Sequence, residues 1–443
     1  MGHERSCDWD LRDRDGGVFD VFVVGRAVKF LIANRLVRGY NCFNIKRRPD
    51  MRIESIKVKN YKVFQDVEVK EIPNMAVFLG MNGVGKTTFF DVFGFLHDAL
   101  QSNIRAALAQ RGGFQEVISR GQTGDIEFEI KFRPSEDEPI ITYQLSICLM
   151  ENKRPAIKKE IMRFRRGQIG APWKVLEFAF GEGVAADGDL VKYEDVRLAE
   201  RSPQKLDSPD ILAIKGLGQF KEFIAVSQLR RLIEDWYVSD FHIEEARGTK
   251  DAGYSERIST SGDNLALVAK YMYDNHREVF DEILEAMKKR VPGVSKVEAQ
   301  ETTDGRIVLR FQDGNFKDPF VSRFVSDGTI KMFTYLMLLK DPEKHALLCV
   351  EEPENQLYPA LLAELAEEFR IYAEDGGQVF ISTHSPDFLN AVRLEELFCL
   401  VKKEGYTKIY KASENTLIKE LYEAGDLLGQ LWRQQLLLEE VEE

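Results

Sequence analysis

The chain has 443 residues, of which 44% are hydrophobic and 30% are charged, and its formal net charge is −12 at pH 7. These values are typical of an ordinary globular protein, and the length is sufficient for two or three domains. The negative charge is unfavourable for broad electrostatic attraction to nucleic acid, although it is compatible with a local basic groove.

The composition favours a cytoplasmic protein without a membrane segment. Residues 18–37 form the most apolar stretch, but charged side chains interrupt it, and a membrane helix needs about eighteen uninterrupted apolar residues. We expect reduced thiols and no zinc site, because the five cysteines are scattered and lack C-x-x-C spacing: Cys7, Cys42, Cys148, Cys349 and Cys399.

Residues 1–50 differ in composition from the rest of the chain. Charged residues crowd their start, Lys46-Arg47-Arg48-Pro49 lies at their end, and Met51 then begins a clean strand pattern. We expect this segment to be an appended extension or the product of an incorrectly assigned start. The alternative is a basic arm that binds a partner or a lipid surface.

Residues 51–135 are predicted to form the N-terminal part of a nucleotide-binding domain. Apolar and polar residues alternate from Arg52 to Val69, as in two strands, and Asn60-Tyr61-Lys62 has the composition of a turn between them. A wholly apolar strand from Met75 to Leu79 follows, and a helical stretch runs from Thr88 to Leu100.

The segment Gly80-Met81-Asn82-Gly83-Val84-Gly85-Lys86-Thr87 matches G-x-x-x-x-G-K-[ST] between a strand and a helix, the context that this motif requires. Its glycines let backbone N–H groups face a phosphate, and the helix dipole adds positive potential. Lys86 can reach the β- and γ-phosphates, and Thr87 can hold Mg²⁺. We therefore predict a nucleoside triphosphate site, rather than a chance turn, that is formed by Gly80, Asn82, Gly83, Val84, Gly85, Lys86, Thr87 and Thr88.

Residues 136–310 are interpreted as an elaboration on this domain. Short β patterns and turns dominate as far as about residue 226, and the stretch from Gly181 to Gly188 is interpreted as a loop. From Ser261 onwards the spacing of apolar residues becomes helical, and no heptads persist. The sequence thus predicts a β-rich region followed by a helical lid.

Residues 311–443 alternate strand and helix patterns. Ala346 to Val350 and Val379 to Thr383 are short apolar strands of the kind found in a parallel sheet that is covered on both faces. Pro359 to Tyr372 is predicted to be an amphipathic helix. A hairpin-like stretch from Leu397 to Lys411 and a leucine-rich helix from about Thr416 follow.

Two adjacent carboxylates, Glu351 and Glu352, follow the first of these strands. Because neighbouring strand residues point in different directions, one acid can serve a metal while the other faces the γ-phosphate. We assign Glu351 to Mg²⁺, usually through water, and Glu352 to polarising the attacking water. A solvated acidic turn is the weaker interpretation beside a P-loop.

His384 lies just past the second strand, one strand–helix–strand unit after the acidic pair. A lone histidine is more often structural, but in this position it can donate to a γ-phosphate and sense its presence. A second anion site is predicted where Ser326 and Gly328 open the helix from Ile330 to Leu339. In isolation, a simple helix cap would be the preferred explanation of Ser326.

These elements, in this order, resemble the ABC-type ATPases of the SMC/RecF branch. The resemblance rests on Asn60-Tyr61-Lys62-Val63-Phe64 as the first-strand motif, Val325-Ser326-Asp327-Gly328-Thr329 as a divergent signature motif, Glu351-Glu352-Pro353-Glu354 as Walker B running into the D-loop, and Thr383-His384-Ser385 as the switch-histidine loop. It covers roughly Met51 to the C-terminus and looks closest to compact bacterial AAA-type ATPases of the overcoming-lysogenisation class.

The resemblance implies an α/β fold, a P-loop NTPase head of the ABC type with an antiparallel β lobe, an inserted mixed α/β region and a helical lid. It also implies a homodimer that encloses ATP and Mg²⁺, with Ser326 and Gly328 of one subunit capping the γ-phosphate held by the other. Gln115 matches the Q-loop and would join Thr87 and Glu351 at the metal.

The implied function is a dimeric ATP-hydrolysing switch in phage defence or DNA transactions. No Asp-x-Asp pair follows His384 to form the two-metal site of a nuclease, so we expect a separate effector protein. The alternative is a non-hydrolysing, ATP-gated scaffold that holds an effector or toxin. Three departures from the family pattern leave the hydrolysis rate open, namely Asp327, which places a negative charge near the phosphate end, Glu351 in place of Asp, and Tyr358 in place of His.

Contact with nucleic acid is a further hypothesis. Lys153-Arg154, Lys158-Lys159 and Arg163-Phe164-Arg165-Arg166 form a basic stretch with interleaved apolar residues, which could follow a phosphate backbone. A solvated strand face in an acidic protein is at least as good an interpretation of the same residues.

Overall fold

The computed structural model describes residues 51–135, 138–164, 172–186 and 201–438. The predicted extension, residues 1–50, lies outside the described residues, as do Arg165 and Arg166 of the basic stretch. None of the helices in the described ranges combines the length and the apolar character that crossing a bilayer requires.

The strands of the described residues form three sheets. In chain order they are β1 (Arg52–Tyr61), β2 (Phe64–Val69), β3 (Met75–Leu79), β4 (Ile126–Arg133), β5 (Ile141–Leu149), β6 (Pro155–Phe164), β7 (Trp173–Ala179), β8 (Glu182–Ala186), β9 (Arg201–Lys205), β10 (Trp236–Val238), β11 (Lys250–Asp251), β12 (Val294–Glu301), β13 (Arg306–Asp313), β14 (Phe320–Val321), β15 (Leu347–Glu351), β16 (Gln378–Thr383), β17 (Leu397–Lys403) and β18 (Tyr406–Lys411).

The α-helices of the same residues lie between and around these sheets. They are α1 (Lys86–Gln101), α2 (Ile104–Gln110), α3 (Phe114–Val117), α4 (Ala213–Leu217), α5 (Ile224–Glu234), α6 (Ile243–Ala246), α7 (Leu265–Asn275), α8 (Arg277–Arg290), α9 (Asp327–Leu339), α10 (Leu362–Glu374), α11 (Pro386–Leu389), α12 (Thr416–Glu423) and α13 (Leu428–Arg433).

The central sheet has the strand order β10-β15-β16-β3-β17-β18. Its neighbouring strands are parallel except for the hairpin of β17 and β18. Strands β3 and β16 are wholly buried, and β15 is buried as far as its last residue, because both faces of the sheet are covered. The strands that carry the P-loop, the acidic pair and the histidine are therefore adjacent, and their carboxyl ends meet at one edge.

The antiparallel lobe is an eight-stranded sheet of order β2-β1-β4-β5-β6-β7-β8-β9. Burial alternates along its strands, which indicates one packed face and one solvated face. The packed face joins one core with α1 and one face of the central sheet. Aromatic rings fill this core, with centroids of Tyr61 and Phe128 5.4 Å apart and those of Phe93 and Phe380 also 5.4 Å apart.

A second core lies on the opposite face of the central sheet. It contains the apolar sides of α7, α8, α9 and α10 together with residues of the small sheet formed by β11 to β14. Alternate residues of β3 divide between the two cores, because Ala76 and Phe78 face the first while Val77 and Leu79 face the second. The strand that leads into the P-loop is thus fixed from both sides.

Several details differ from the sequence interpretation. Asn60 and Tyr61, which were expected in a turn with Lys62, are the last two residues of β1. The stretch from Gly181 to Gly188 was interpreted as a loop, but Glu182–Ala186 is strand β8. Its Gly183 lies so close to the backbone of Glu177 on β7 that a Cβ atom would overlap the carbonyl oxygen, so this glycine serves a close strand approach rather than a turn. The predicted leucine-rich helix from Thr416 is two short helices, α12 and α13, with Gly425 between them at φ 106°.

A buried carboxylate joins the lobe to α4. Glu160 is 1% exposed, and it accepts hydrogen bonds from the backbone N–H groups of Ala213 at 2.6 Å and Ile214 at 3.0 Å and from the Tyr143 hydroxyl at 3.1 Å. Burial raises the pKa of Glu160 to about 7, because desolvation outweighs the three hydrogen bonds. The folded chain therefore holds a proton there that the unfolded chain loses at lower pH.

This raised pKa predicts a stability that falls as pH rises. The contribution of Glu160 is fully present below its unfolded pKa of 4.5 and is lost as pH rises through the folded pKa, by about 1.4 kcal/mol per pH unit. In Glu160→Gln that contribution is absent. Urea unfolding at pH 5, 6 and 7 should show the wild type losing stability relative to the variant, and parallel pH profiles would contradict the assignment.

Candidate functional site

The P-loop connects β3 to α1 through backbone conformations that need glycine. Gly83 has φ 79° and Gly85, the N-cap residue of α1, has φ 106°. A Cβ atom on Gly85 would also lie 2.7 Å from the Val63 side chain of the first-strand motif. The Thr407 hydroxyl of the β17–β18 hairpin donates to the Val84 carbonyl at 2.5 Å. The loop is therefore held from two sides before any phosphate reaches it.

Lys86 is curled into this loop and is only 6% exposed. Its ammonium donates to the carbonyl oxygens of Gly80 at 2.8 Å and Met81 at 3.4 Å. Burial lowers the pKa of Lys86, although the carboxylate of Glu352 and its neighbours oppose that shift. The Lys86 ammonium lies 3.9 Å from Glu352 Oε1. A triphosphate would offer this cation charged acceptors, which make stronger hydrogen bonds than carbonyl groups.

Thr87 and Glu351 are brought together although they lie 264 positions apart, and the Thr87 hydroxyl donates to Glu351 Oε2 at 2.6 Å. Burial raises the pKa of Glu351, and a divalent cation would offset that cost. A hydroxyl and a carboxylate are the oxygen ligands that Mg²⁺ prefers, with phosphates and water completing the shell. Within the described ranges no cluster of three or more His, Cys, Asp or Glu side chains could hold a metal ion.

Gln115 is exposed at the surface on the four-residue helix α3. Its backbone carbonyl accepts a hydrogen bond from Arg120 at 3.3 Å. Its assignment as a metal ligand beside Thr87 and Glu351 stays a prediction, because the described contacts of Gln115 involve its backbone only.

Glu352 follows β15 in a left-handed conformation with φ 44°, which is costly for a residue other than glycine. Its N–H donates to the Ser382 carbonyl at 2.9 Å and so fixes it to β16. Its carboxylate lies 3.0 Å from His384 Nδ1 through Oε1 and accepts from the Asn355 amide at 2.9 Å through Oε2. Burial alone would raise the pKa of Glu352, but Asn355, His384 and Lys86 together lower it.

His384 is positioned by a buried acid, Glu354, for which the sequence predicted no role of its own. Glu354 Oε1 accepts from the Thr383 hydroxyl at 2.6 Å and from the His384 N–H at 3.2 Å. On the other side, the Trp432 indole donates to the His384 carbonyl at 3.0 Å. The position of Glu354 directly after the acidic pair and Pro353 could have indicated that it lies near the site. Nothing in the local sequence indicates a contact between Trp432 and His384.

The signature segment forms the N-terminus of α9. Ser326 is the N-cap, and its side chain accepts from the Thr329 N–H at 3.3 Å. Asp327, whose charge was expected near a phosphate, forms an ion pair with Arg247. Gly328 packs against the loop after Walker B, where a Cβ atom would lie 2.7 Å from the Gln356 carbonyl oxygen. No hydrogen bond between described residues joins Ser326 or Gly328 to the P-loop of the same chain.

The described part of the basic stretch lies on the lobe, and two of its residues, Lys158 and Arg163, are paired with acids. Lys158 lies 2.7 Å from Asp125, and Arg163 lies 3.7 Å from Glu129. These pairs reduce the positive charge that a phosphate backbone would meet. Contact with nucleic acid therefore stays a hypothesis, and the stretch has less unpaired positive charge than its sequence suggests.

Comparisons with known proteins give the family and the fold of the chain. A family model described as an AAA ATPase domain matches residues 51–290. A second model, whose description names an AAA domain, the AbiEii toxin and a type IV TA system, matches residues 219–390. The Old nuclease of Escherichia phage P2 is 24% identical over 194 residues, which are 36% of this chain and 31% of that protein. The chain thus spans about a third of the length of this relative.

Among solved structures, the Smc head domain with an extended coiled coil from Pyrococcus furiosus, bound to the C-terminal domain of ScpA, superposes with a TM-score of 0.50. The match covers 85% of this chain and 100% of that chain at 13% identity, so it shows the fold alone. Together with the family models, it confirms the predicted α/β P-loop NTPase head with an antiparallel lobe, a fold that this chain shares with an Smc head.

The contact of Gly328 gives a prediction with a defined sign. In a helix, alanine is normally more stable than glycine by about 1 kcal/mol, but here the new Cβ would overlap the Gln356 carbonyl. We expect Gly328→Ala to lower the melting temperature without any nucleotide present. Gly314→Ala is the control, because the nearest atom lies 3.6 Å from the new Cβ. This variant should not have a lower melting temperature. A stabilised Gly328→Ala would show that the two segments do not pack as described.

Proposed function

Because the chain belongs to the AAA ATPase domain family, we propose that it binds ATP with Mg²⁺ and hydrolyses it to ADP and phosphate. One observation carries the proposal: the Glu352 carboxylate lies between the Lys86 ammonium at 3.9 Å and His384 Nδ1 at 3.0 Å. A phosphate-binding cation, an acid and a histidine from three distant segments thus line one edge of the sheet. Such a group is suited to phosphoryl transfer to water.

Each of these side chains has a separate role in the proposal. Thr87 and Glu351 would hold Mg²⁺, which neutralises charge on the β- and γ-phosphates. Glu352, with its lowered pKa, is ionised at neutral pH and can accept a hydrogen bond from the attacking water. Lys86 stabilises charge on the γ-phosphate, and His384 donates to that phosphate and senses its loss.

A homodimer is part of the proposal, with Ser326 and Gly328 acting on the ATP of the other copy. Large apolar side chains are exposed beside all three loops that such a dimer would enclose. Met81 of the P-loop is 55% exposed, Phe324 before the signature 74%, and Tyr358 after the D-loop 72%. Exposed apolar groups that cluster around functional loops favour contact with a protein surface, and the same loops of a second copy provide it.

We extend the proposal to a switch that acts with a separate effector in phage defence or DNA transactions. The toxin–antitoxin description of one family model and the sequence match to a phage nuclease support this setting. The matched part is about a third of that nuclease, so we do not assign its nuclease activity to this chain. A partner protein is supported by the Pyrococcus furiosus Smc head, which was solved bound to a domain of ScpA.

A non-hydrolysing, ATP-gated scaffold is the second candidate, and one observation favours it. Both carboxylate oxygens of Glu352 already have partners, Asn355 and His384, so a water must compete with them for the acid. In a scaffold, ATP binding alone would close the dimer on an effector or toxin. The two candidates differ in whether phosphate is released.

Glu352→Gln separates the candidates. If Glu352 polarises the water, the variant should release phosphate at least about 100-fold more slowly, because an amide is not a base. Its affinity for ATP should change by less than about threefold, and ATP should trap it as a closed dimer in light scattering. Lys86→Ala is the binding control and should lose about 100-fold in affinity. Equal phosphate release by the wild type and Glu352→Gln would refute the role of Glu352.

The action of the signature across the dimer can be tested by complementation. Ser326→Asp keeps a good N-cap but places a negative charge against the partner's triphosphate, so the pure variant should be inactive. Mixed with inactive Lys86→Ala, it forms heterodimers that have one intact site. About a quarter of wild-type phosphate release should return after random mixing. If the mixture stays inactive although heterodimers form, each site is completed within one chain.

A further inference from the structure

One buried cation connects α9, which begins at the signature segment and is called the signature helix, to the loop after β15. This loop, residues 352–358, carries Glu352 and is called the acid loop. Lys331 lies on α9, one turn after Ser326 and Gly328, and is 6% exposed. Its ammonium donates to two backbone carbonyls of the loop after β15, that of Asn355 at 2.9 Å and that of Glu352 at 3.3 Å. A lysine is seldom buried to this degree without a structural or functional requirement.

The two carbonyls belong to a strained loop. Glu352 has φ 44° and Gln356 has φ 66°, so two residues other than glycine occupy the left-handed region within five positions. Such conformations persist only where the surroundings fix them. Lys331 supplies two of the fixing contacts, and the close approach of Gly328 to the Gln356 carbonyl supplies another.

The contacts continue from this loop to the carboxylate that faces Lys86. The Asn355 N–H donates to the Glu352 carbonyl at 3.1 Å, and the Asn355 side-chain amide donates to Glu352 Oε2 at 2.9 Å. Lys331 therefore holds the backbone of Asn355, and Asn355 holds the side chain of Glu352. A small displacement of α9 would change the direction in which the Glu352 carboxylate points.

We propose that Lys331 is a positioning residue that sets the orientation of Glu352 according to the state of the signature helix. This inference rests on the proposed function, in which that helix contacts the ATP held by the second copy. Nucleotide capture by one copy would then move α9, and Lys331 would transmit the movement to the acid of its own site. The two sites of the dimer would respond to ATP together.

The surroundings of Lys331 keep its ammonium charged and next to both the helix and the loop. Burial lowers the pKa of Lys331 to about 8, and the carboxylates of Glu354 and Glu352 oppose that shift, so the side chain remains a cation at neutral pH. The Tyr335 ring lies 5.7 Å from the ammonium on the next turn of α9. The ammonium is thus attached to the helix by its stem and to the loop by its two hydrogen bonds.

The test compares three variants with the wild type. Lys331→Met keeps the length of the stem and removes the donors to the loop. Asn355→Ala removes the amide that holds Glu352, at an exposed position where the fold is not at risk. Lys340→Met, at the C-terminal end of the same helix and ion-paired with Glu368 at 3.8 Å, is the matched control. Melting temperatures establish that each variant is folded, and Asn355→Ala carries the test if Lys331→Met is not.

We expect Lys331→Met to lower kcat for phosphate release by about 10- to 100-fold while KM for ATP changes by less than about threefold. Asn355→Ala should have the same pattern. If both residues act through one chain of contacts, the double variant should be no slower than the slower single variant within about threefold. The inference would be overturned if the fold-loss in kcat of the double variant equalled the product of the two single fold-losses. An unchanged kcat in Lys331→Met would also overturn it.

A second readout does not require hydrolysis. Titration calorimetry with a non-hydrolysable ATP analogue should show cooperative binding in the wild type and in Lys340→Met. The Hill coefficient should fall to about 1 in Lys331→Met. If the wild type binds cooperatively but releases no phosphate, the proposed hydrolysis fails while the inference is decided by this coefficient. If binding has the same coefficient with and without Lys331, the inference fails.

Discussion

The register of three neighbouring parallel strands is the constraint on which the site depends. Glu351 of β15 lies opposite Ser382 of β16, and Ser382 lies opposite Phe78 of β3. The residues that follow these strands, among them Gly80, Glu352 and His384, therefore emerge at the same level of one sheet edge. A shift by one residue in either pairing would turn the side chains away from one another, because strand residues alternate in direction. The two apolar cores stabilise this register by covering both faces of the sheet.

The loop after β15 joins this edge to the signature helix. It is strained at Glu352 and Gln356, and it is fixed by contacts with α9 on one side and with the switch loop on the other. Strain of this kind raises the free energy of the observed arrangement, which brings it closer to that of alternative arrangements. A loop of this type is suited to a switch, because a ligand that moves α9 need not overcome a deep energy minimum. In the proposal for Lys331, its buried ammonium acts on this loop and through it on the direction of the Glu352 carboxylate.

The sequence could locate segments, but it could not supply the contacts between them. Asp327 illustrates this limit, because its charge was expected to face a phosphate, whereas Arg247, 80 positions earlier, pairs with it. Gly183 is a second case. The sequence does not distinguish a glycine in a turn from a glycine that a neighbouring strand packs against, as the Glu177 backbone does here. The lobe is a third, because β5 to β9 continue the sheet begun by β1 and β4 across the predicted boundary at residues 135 and 136.

By itself, the sequence determined the three strands that carry the site (β3, β15 and β16), the P-loop, the acidic pair and the histidine, because periodicity, glycine placement and adjacent carboxylates are local properties. It also determined the family through the order of those motifs. Only the tertiary structure decided that Glu352 lies between Lys86 and His384, that Glu354 and Trp432 position the histidine, and that Lys331 reaches the acid loop. These contacts join residues far apart in the chain, and they arise from the register of the sheet and the packing of α9 against it, which no single segment encodes.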